Sequence, residues 1–188
     1  CVAPSVNAVQ ALVLAPTLEL AVHVTGELGR LGQFRRVHAV ACYGGQPIPR
    51  QIAALQRGAH IVVGTPGRIL DHLGRGTLSL DRAAFVVLDE ADAMLDIGFL
   101  PDVERILSMT PLGRQTALFS ATIPAPIRRV VRRYMRNPAW VQVGGEIETV
   151  PEVHQVYYEV WEADRPRALL EILNTSVNGG KVLLFRRT

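Results

Sequence analysis

Short apolar runs recur along the first part of this chain, at Ala11 to Leu14, Val37 to Cys42, His60 to Val63, Ala84 to Leu88 and Thr116 to Phe119. A stretch with helical spacing separates each from the next. Runs of aliphatic and β-branched residues that do not alternate with polar ones mark strands covered on both faces. Strands alternating with helices predict an α/β fold: a parallel sheet flanked by crossover helices. Leu20, Val24, Leu28 and Leu31 share one helical face, as do Ile48, Ile52 and Leu55, and Gly58 stands where the second helix should stop.

Beyond Phe119 the period changes to that of an amphipathic helix near Pro124 to Met135. Ile127, Val130, Val131, Tyr134 and Met135 form its apolar stripe, and Arg128, Arg129, Arg132, Arg133 and Arg136 its other face. Such a face is more often solvated than bound to RNA. NPAWVQV, residues 137 to 143, reads as a further strand. GGEIETVPE, residues 144 to 152, breaks the pattern with glycines, a proline and glutamates, as a linker does. VHQVYYEV then predicts a strand, Arg165 to Leu173 a helix and Val182 to Phe185 another strand. The expected organisation is therefore a partial first domain over 1–143, a linker over 144–152, and the beginning of a second α/β unit over 153–188.

Composition narrows this picture little. The 188 residues are 48% hydrophobic and 20% charged, which excludes disorder. The formal charge is +3, and all basic residues except Lys181 are arginine. That balance permits nucleic acid without demanding it. Cys1 and Cys42 are too few for a disulfide framework, and no apolar run approaches the roughly 18 residues of a membrane span. A cytoplasmic protein without a membrane partner is expected. A start at Cys1 and a stop just after a strand-like segment suggest a piece of a longer chain. Such a piece should leave buried faces such as Val86 to Leu88 uncovered.

The chemistry concentrates in VVLDEADAMLDIGF, residues 86 to 99, where an apolar strand breaks into Asp89, Glu90 and Asp92. Carboxylates there sit at the carboxyl rim of the sheet, where ligands of open α/β sheets bind. Magnesium keeps most of its water and takes one or two carboxylates, while a neighbouring carboxylate can orient an attacking water. Asp89 suits the metal, mainly through water, and Glu90 the water. An acidic turn capping the next helix explains the same residues equally well when taken alone. ALFSATIP, residues 117 to 124, puts Ser120 and Thr122 at the next strand end, within reach of Asp92, or as N-caps of the Pro124 helix. VGTPGRIL sets Thr65, Pro66, Gly67 and Arg68 at a strand end and helix start, where free N–H groups attract phosphate. Gly44 and Gly45 of CYGGQ permit close backbone approach, or simply a turn. Met94 and Phe99 read as core, and His38 and His60 lack the companions a zinc site needs.

APTLELA at 15 to 21, YGG at 43 to 45, TPGR at 65 to 68, DEADAMLDIGF at 89 to 99 and SAT at 120 to 122 resemble, in order and spacing, the motifs of DEAD-box RNA helicases. The resemblance covers nearly the whole chain, since FRRT at 185 to 188 is similar to the start of the first motif in that family's second domain. It implies a RecA-like fold of the P-loop NTPase type and an enzyme using ATP and Mg2+ to separate short RNA duplexes. It also implies sequence-independent contacts to the RNA backbone and a monomer. Carried over, Asp89 and Glu90 take the magnesium and water positions, and Asp92, Ser120 and Thr122 the coupling of hydrolysis to strand separation. Pro16, Thr17, Gly44, Gly45, Thr65, Pro66, Gly67 and Arg68 take the RNA surface.

The departures are as informative. Leu18 and His23 stand where the family usually has arginine and glutamine. The family's phosphate loop, glycines followed by Gly-Lys-Ser/Thr, is not in this sequence. Lys181 follows Gly179 and Gly180, but Thr175 and Val182 occupy the positions of the leading glycine and the hydroxyl. The loop is expected upstream of Cys1 and the arginine finger downstream of Thr188, so the isolated chain should not hydrolyse ATP. A non-enzymatic RNA- or partner-binding module that keeps the fold is the competing reading. A magnesium-dependent nuclease would need further metal ligands near Asp89, and none is evident.

Overall fold

The computed structural model describes residues 2–143, 156–176 and 180–185. The chain divides into two compact units, Cys1–Ala139 and Trp140–Thr188. In the first, β1 (Ala11–Leu14), β2 (Ala39–Cys42), β3 (Ile61–Gly64), β4 (Phe85–Leu88) and β5 (Gln115–Leu118) form one parallel sheet in the order β2-β3-β1-β4-β5. Each strand lies where an apolar run predicts it, with ends shifted by a residue or two.

Non-alternating strands follow from a sheet buried on both faces. Along β1, Leu12 and Leu14 enter one cluster and Val13, with Ala15 beyond it, the other, because successive side chains point to opposite faces. Helix α1 (Leu18–Gly32) covers the second cluster through Leu20, Val24 and Leu28. The first is covered by α2 (Ile48–Gln56), α3 (Pro66–Gly74), α4 (Ala91–Ile97), α5 (Leu100–Ser108) and α6 (Ala125–Tyr134), through Leu55, Ile69, Met94, Ile106 and Ile127 with Val130. Gly58 ends α2 as expected, with φ +100 and its N–H donating to the Leu55 carbonyl.

Two expectations fail here. Leu31 is 78% exposed although it shares a face with Leu28. A four-residue strand spans about 13 Å and a 15-residue helix about 22 Å, so the last turn of α1 overruns the sheet. Val86 and Leu88 are each only 1% exposed, not uncovered, while Val87, which points to the opposite face, is half-buried. β4 lies between β1 and β5, and the more open strands are the two edges, β2 and β5.

In the second unit α7 (Arg165–Ser176) forms where predicted. Residues 137–143, 156–160 and 182–185 form no strand. A strand is defined by its ladder, and these segments have no paired neighbour among the described residues, which leaves Val141, Tyr157 and Phe185 exposed. The predicted linker, 144–152, lies outside the described residues. Among those described, no helix is long and apolar enough to cross a membrane.

Candidate functional site

Parallel strands put all their carboxyl ends on one rim, and every candidate residue lies in a segment leaving that rim. Pro16 and Thr17 follow β1, Gly44 and Gly45 follow β2, Thr65 to Arg68 follow β3, Asp89 to Asp92 follow β4, and Ser120 and Thr122 follow β5. The strand order reverses around β1, since the chain runs from β3 on one side to β4 on the other, and the crevice of an open α/β sheet opens at such a reversal.

The acidic corner is tied to the strands on either side. The Asp89 N–H donates to the Leu14 carbonyl at 3.0 Å, and the Ala91 N–H to the Phe119 carbonyl at 3.0 Å. Between them Glu90 is left-handed, with φ 49 and ψ 56, a conformation costly for a residue with a Cβ. Asp89 Oδ1 accepts the Glu90 N–H at 3.1 Å, which helps hold that corner. Asp89 is half-buried and Glu90 exposed. The other Asp89 oxygen has no hydrogen bond among the described residues. A free carboxylate oxygen next to an exposed carboxylate is a hard-oxygen donor set that fits a hydrated magnesium ion.

Asp92 turns the other way, into the loop after β5. Its Oδ2 accepts from the Thr122 N–H at 2.8 Å and the Thr122 hydroxyl at 3.0 Å. Its Oδ1 accepts the Ala93 N–H, and its own N–H donates to Ser120 Oγ at 3.1 Å. Ser120 in turn donates to the Thr122 carbonyl at 2.7 Å. Burial raises the Asp92 pKa, but the hydrogen bonds its carboxylate accepts, that from the Thr122 N–H first, outweigh it and hold the carboxyl below the ordinary aspartate range. The single Ser120 proton goes to the Thr122 carbonyl, which leaves Thr122 and Ala93 as the donors that stabilise the ion. The reach expected between Asp92 and the hydroxyl pair is met. The N-cap alternative is not, because Pro124 caps α6 with no side-chain bond.

The remaining candidates line the same rim with open backbone. A Cβ placed on Gly44, Gly45 or Gly67 would meet nothing within 4 Å, so an extended ligand can approach these peptides closely. Thr65 caps α3 without using its side chain, and Pro66 sits in the first turn. Thr17 caps α1, its Oγ1 accepting the Leu20 N–H at 3.3 Å. Pro16 is buried. The Arg68 side chain is 15% exposed, and its guanidinium donates to the Gln46 carbonyl at 2.9 Å. Leu18 and His23 are both exposed on α1.

Residues outside the motifs also shape this rim. A Cβ on Gly64 would strike the Cys42 carbonyl oxygen and stand 2.7 Å from Ile69 Cδ1, so only glycine lets β2, β3 and α3 close together. Buried Gln51 and His72 lie behind the rim, and the signal for Gln51 was in the sequence: it occupies the Ile48, Ile52, Leu55 stripe as a polar residue in an apolar face.

Residues 2–130 match the family described as DEAD/DEAH box helicase. The chain is 52% identical over 168 residues to the DEAD-box ATP-dependent RNA helicase CshA of Geobacillus kaustophilus, covering 89% of this chain and 36% of that protein. It is 47% identical over 184 residues to the ATP-dependent RNA helicase DeaD of Escherichia coli K12, covering 97% and 29%. A solved DEAD box protein from the hyperthermophile Methanococcus jannaschii superposes with a TM-score of 0.70 at 41% identity, covering 90% of this chain and 45% of that one. The chain thus spans about a third of the length of the curated relatives it matches. An acidic corner bonded to a hydroxyl loop, on a RecA-like sheet that these relatives share, leads to one assignment: this chain belongs to the DEAD/DEAH box helicase family.

Proposed function

We propose that this chain is part of an ATP-dependent RNA helicase, contributing the residues that orient the hydrolytic water and grip one RNA strand. The observation carrying this reading is the bonding of Asp92 to Thr122 and Ser120 beside Asp89 and Glu90, on the rim that also presents the open glycines. Asp89 would hold a hydrated magnesium ion, which when bound would supply charge neutralisation at the nucleotide's phosphates. Glu90, exposed on a strained corner, accepts a proton from the attacking water and aligns it. Asp92 transmits a shift of this corner to the loop after β5, because its carboxylate and its N–H are both bonded there.

The RNA backbone lies along Thr17, Gly44, Gly45, Thr65 and Gly67, where peptide N–H groups and hydroxyls contact phosphate without reading bases. Pro16 and Pro66 fix the turns that present them, and Arg68 braces the glycine loop through Gln46. The nucleotide's phosphates need a cradle of backbone N–H groups and a lysine, and this chain's single lysine, Lys181, has no such sequence around it. The residues present do not fit that role, so no step is assigned to them there. The protein acts as a monomer in the cytoplasm, with 1–143, 144–152 and 153–188 as partial first domain, linker and start of the second.

The test has two arms. Fluorescence anisotropy with labelled oligouridine and oligoadenosine should give similar affinities that fall steeply with salt. A phosphate-release assay on the isolated chain with ATP, magnesium and RNA should read as buffer. Turnover that Glu90→Gln abolishes would overturn the inactivity of the isolated chain, and no RNA affinity at low salt would overturn the RNA grip. Two features favour the competing module reading, the phosphate loop that this sequence does not contain and Leu18, exposed on the proposed RNA face; Leu18→Arg strengthens RNA binding if the helicase reading holds.

A further inference from the structure

Behind the rim, two polar side chains are buried where apolar ones would be expected. Gln51 of α2 is 2% exposed and His72 of α3 fully buried. Gln51 Nε2 donates to the Tyr43 carbonyl at 2.9 Å and to Gln46 Oε1 at 3.1 Å. Its amide protons are thereby committed, so Gln51 Oε1, 2.9 Å from His72 Nε2, accepts from that nitrogen. In that tautomer His72 Nδ1 accepts the single Thr77 hydroxyl proton at 2.8 Å, so the His72 carbonyl, 3.1 Å from the same hydroxyl oxygen, does not receive it. Burial and the neighbouring Arg68 charge lower the His72 pKa, which agrees with this neutral tautomer. At the far end Arg68 donates to the Gln46 carbonyl. Among the described residues no buried side-chain polar atom lacks a partner.

The chain of bonds has a direction. It starts at Thr77 beyond the end of α3, crosses the core through His72 and Gln51, and ends on Tyr43 and Gln46, the residues flanking Gly44 and Gly45. Arg68 closes the circuit from the first turn of α3. Gly44 and Gly45 are exposed, with open space where a side chain would stand, and unfixed glycines cost the most entropy when a ligand orders them. Buried polar networks that are fully satisfied rigidify what they touch.

We propose that Gln51 and His72 are positioning residues that hold the glycine loop and the start of α3 as one preorganised RNA-binding unit. This rests on the RNA-gripping reading above. Neither side chain reaches the rim itself, so both act through the Tyr43 and Gln46 backbone and side chain.

The experiment measures the affinity of labelled oligouridine for the 188-residue chain by anisotropy, alongside thermal melts. Gln51→Met keeps the volume and removes the bonds; His72→Leu removes the donor that orients Gln51. Each should weaken RNA binding about tenfold, the cost of one or two lost hydrogen bonds. His72→Gln restores an N–H near the Nε2 position and should recover most of the loss, which a merely space-filling role does not predict. Gln46→Ala, on the loop surface, should weaken binding without altering the core, and decides the matter if the buried variants do not fold. With Gln51→Met folded, adding Gln46→Ala to it should cost less than the sum of the two. Folded variants that bind within twofold of wild type, or His72→Gln no better than His72→Leu, overturn the proposal. A wild-type chain with no RNA affinity fails at the earlier reading instead, and this one falls with it.

Discussion

Replacing Asp92 by asparagine separates a coupling element from a decorative acidic turn. Asp92 uses both oxygens: Oδ1 for the Ala93 N–H and Oδ2 for the Thr122 N–H and hydroxyl. Asparagine has one acceptor, so one of these N–H groups must face its NH2. The site is partly exposed and water repairs some of the loss, which reduces a charge-assisted bond to about 1 kcal/mol. Removing a negative charge from the first turn of α4 adds about 0.3–1 kcal/mol. The sum, about 1–2 kcal/mol, lowers Tm by about 3–8 °C for a unit of this size. The pH dependence has a fixed sign. The folded carboxyl titrates below its unfolded value, so its stabilisation is present above the ordinary aspartate pKa and is lost as pH falls through the depressed folded one. Paired melts of wild type and Asp92→Asn should therefore differ fully above about pH 5 and converge in acid. In a double-mutant cycle with Thr122→Ala the coupling should be about 0.5–1 kcal/mol. A Tm difference under about 1 °C at neutral pH, or one that widens in acid, refutes the reasoning.

Other consequences follow from burial and close approach. Gly64→Ala should destabilise the chain by more than about 2 kcal/mol in urea titration, because the atom it meets is the Cys42 backbone carbonyl, which cannot swing away. The Cys42 thiol is fully buried, and its pKa is pushed up to about 12 by burial against a smaller opposing effect of Arg68. In a Cys1→Ser background no thiol should therefore react with a disulfide reagent until the protein unfolds. Ile127→Ala, in the buried stripe of α6, should cost about 2–5 kcal/mol, whereas Arg129→Ala on its exposed face should leave the melt unchanged.

The first unit was largely legible because its signal is local. Five aliphatic runs became five strands, and since parallel strands share one carboxyl rim, naming the residues after each run was enough to gather them there. What escaped was what local pattern does not carry. Leu31 has the right phase on α1 but lies beyond the sheet's length. Gly64 matters through the Cys42 carbonyl of another strand, and His72 through Gln51 of another helix. The strands expected at 137–143, 153–160 and 182–185 had suitable residues, yet a strand also needs a neighbour, and none pairs with those of them that lie among the described residues.

The central claim is that Glu90 aligns the water in a site this chain helps to build. Its most direct test replaces the corresponding segment of Geobacillus kaustophilus CshA, 52% identical, with this chain and follows RNA-dependent phosphate release. The account predicts a chimera within about tenfold of the parent enzyme that loses at least about 100-fold on Glu90→Gln. A folded chimera that is inert, or one whose turnover survives Glu90→Gln, would contradict it.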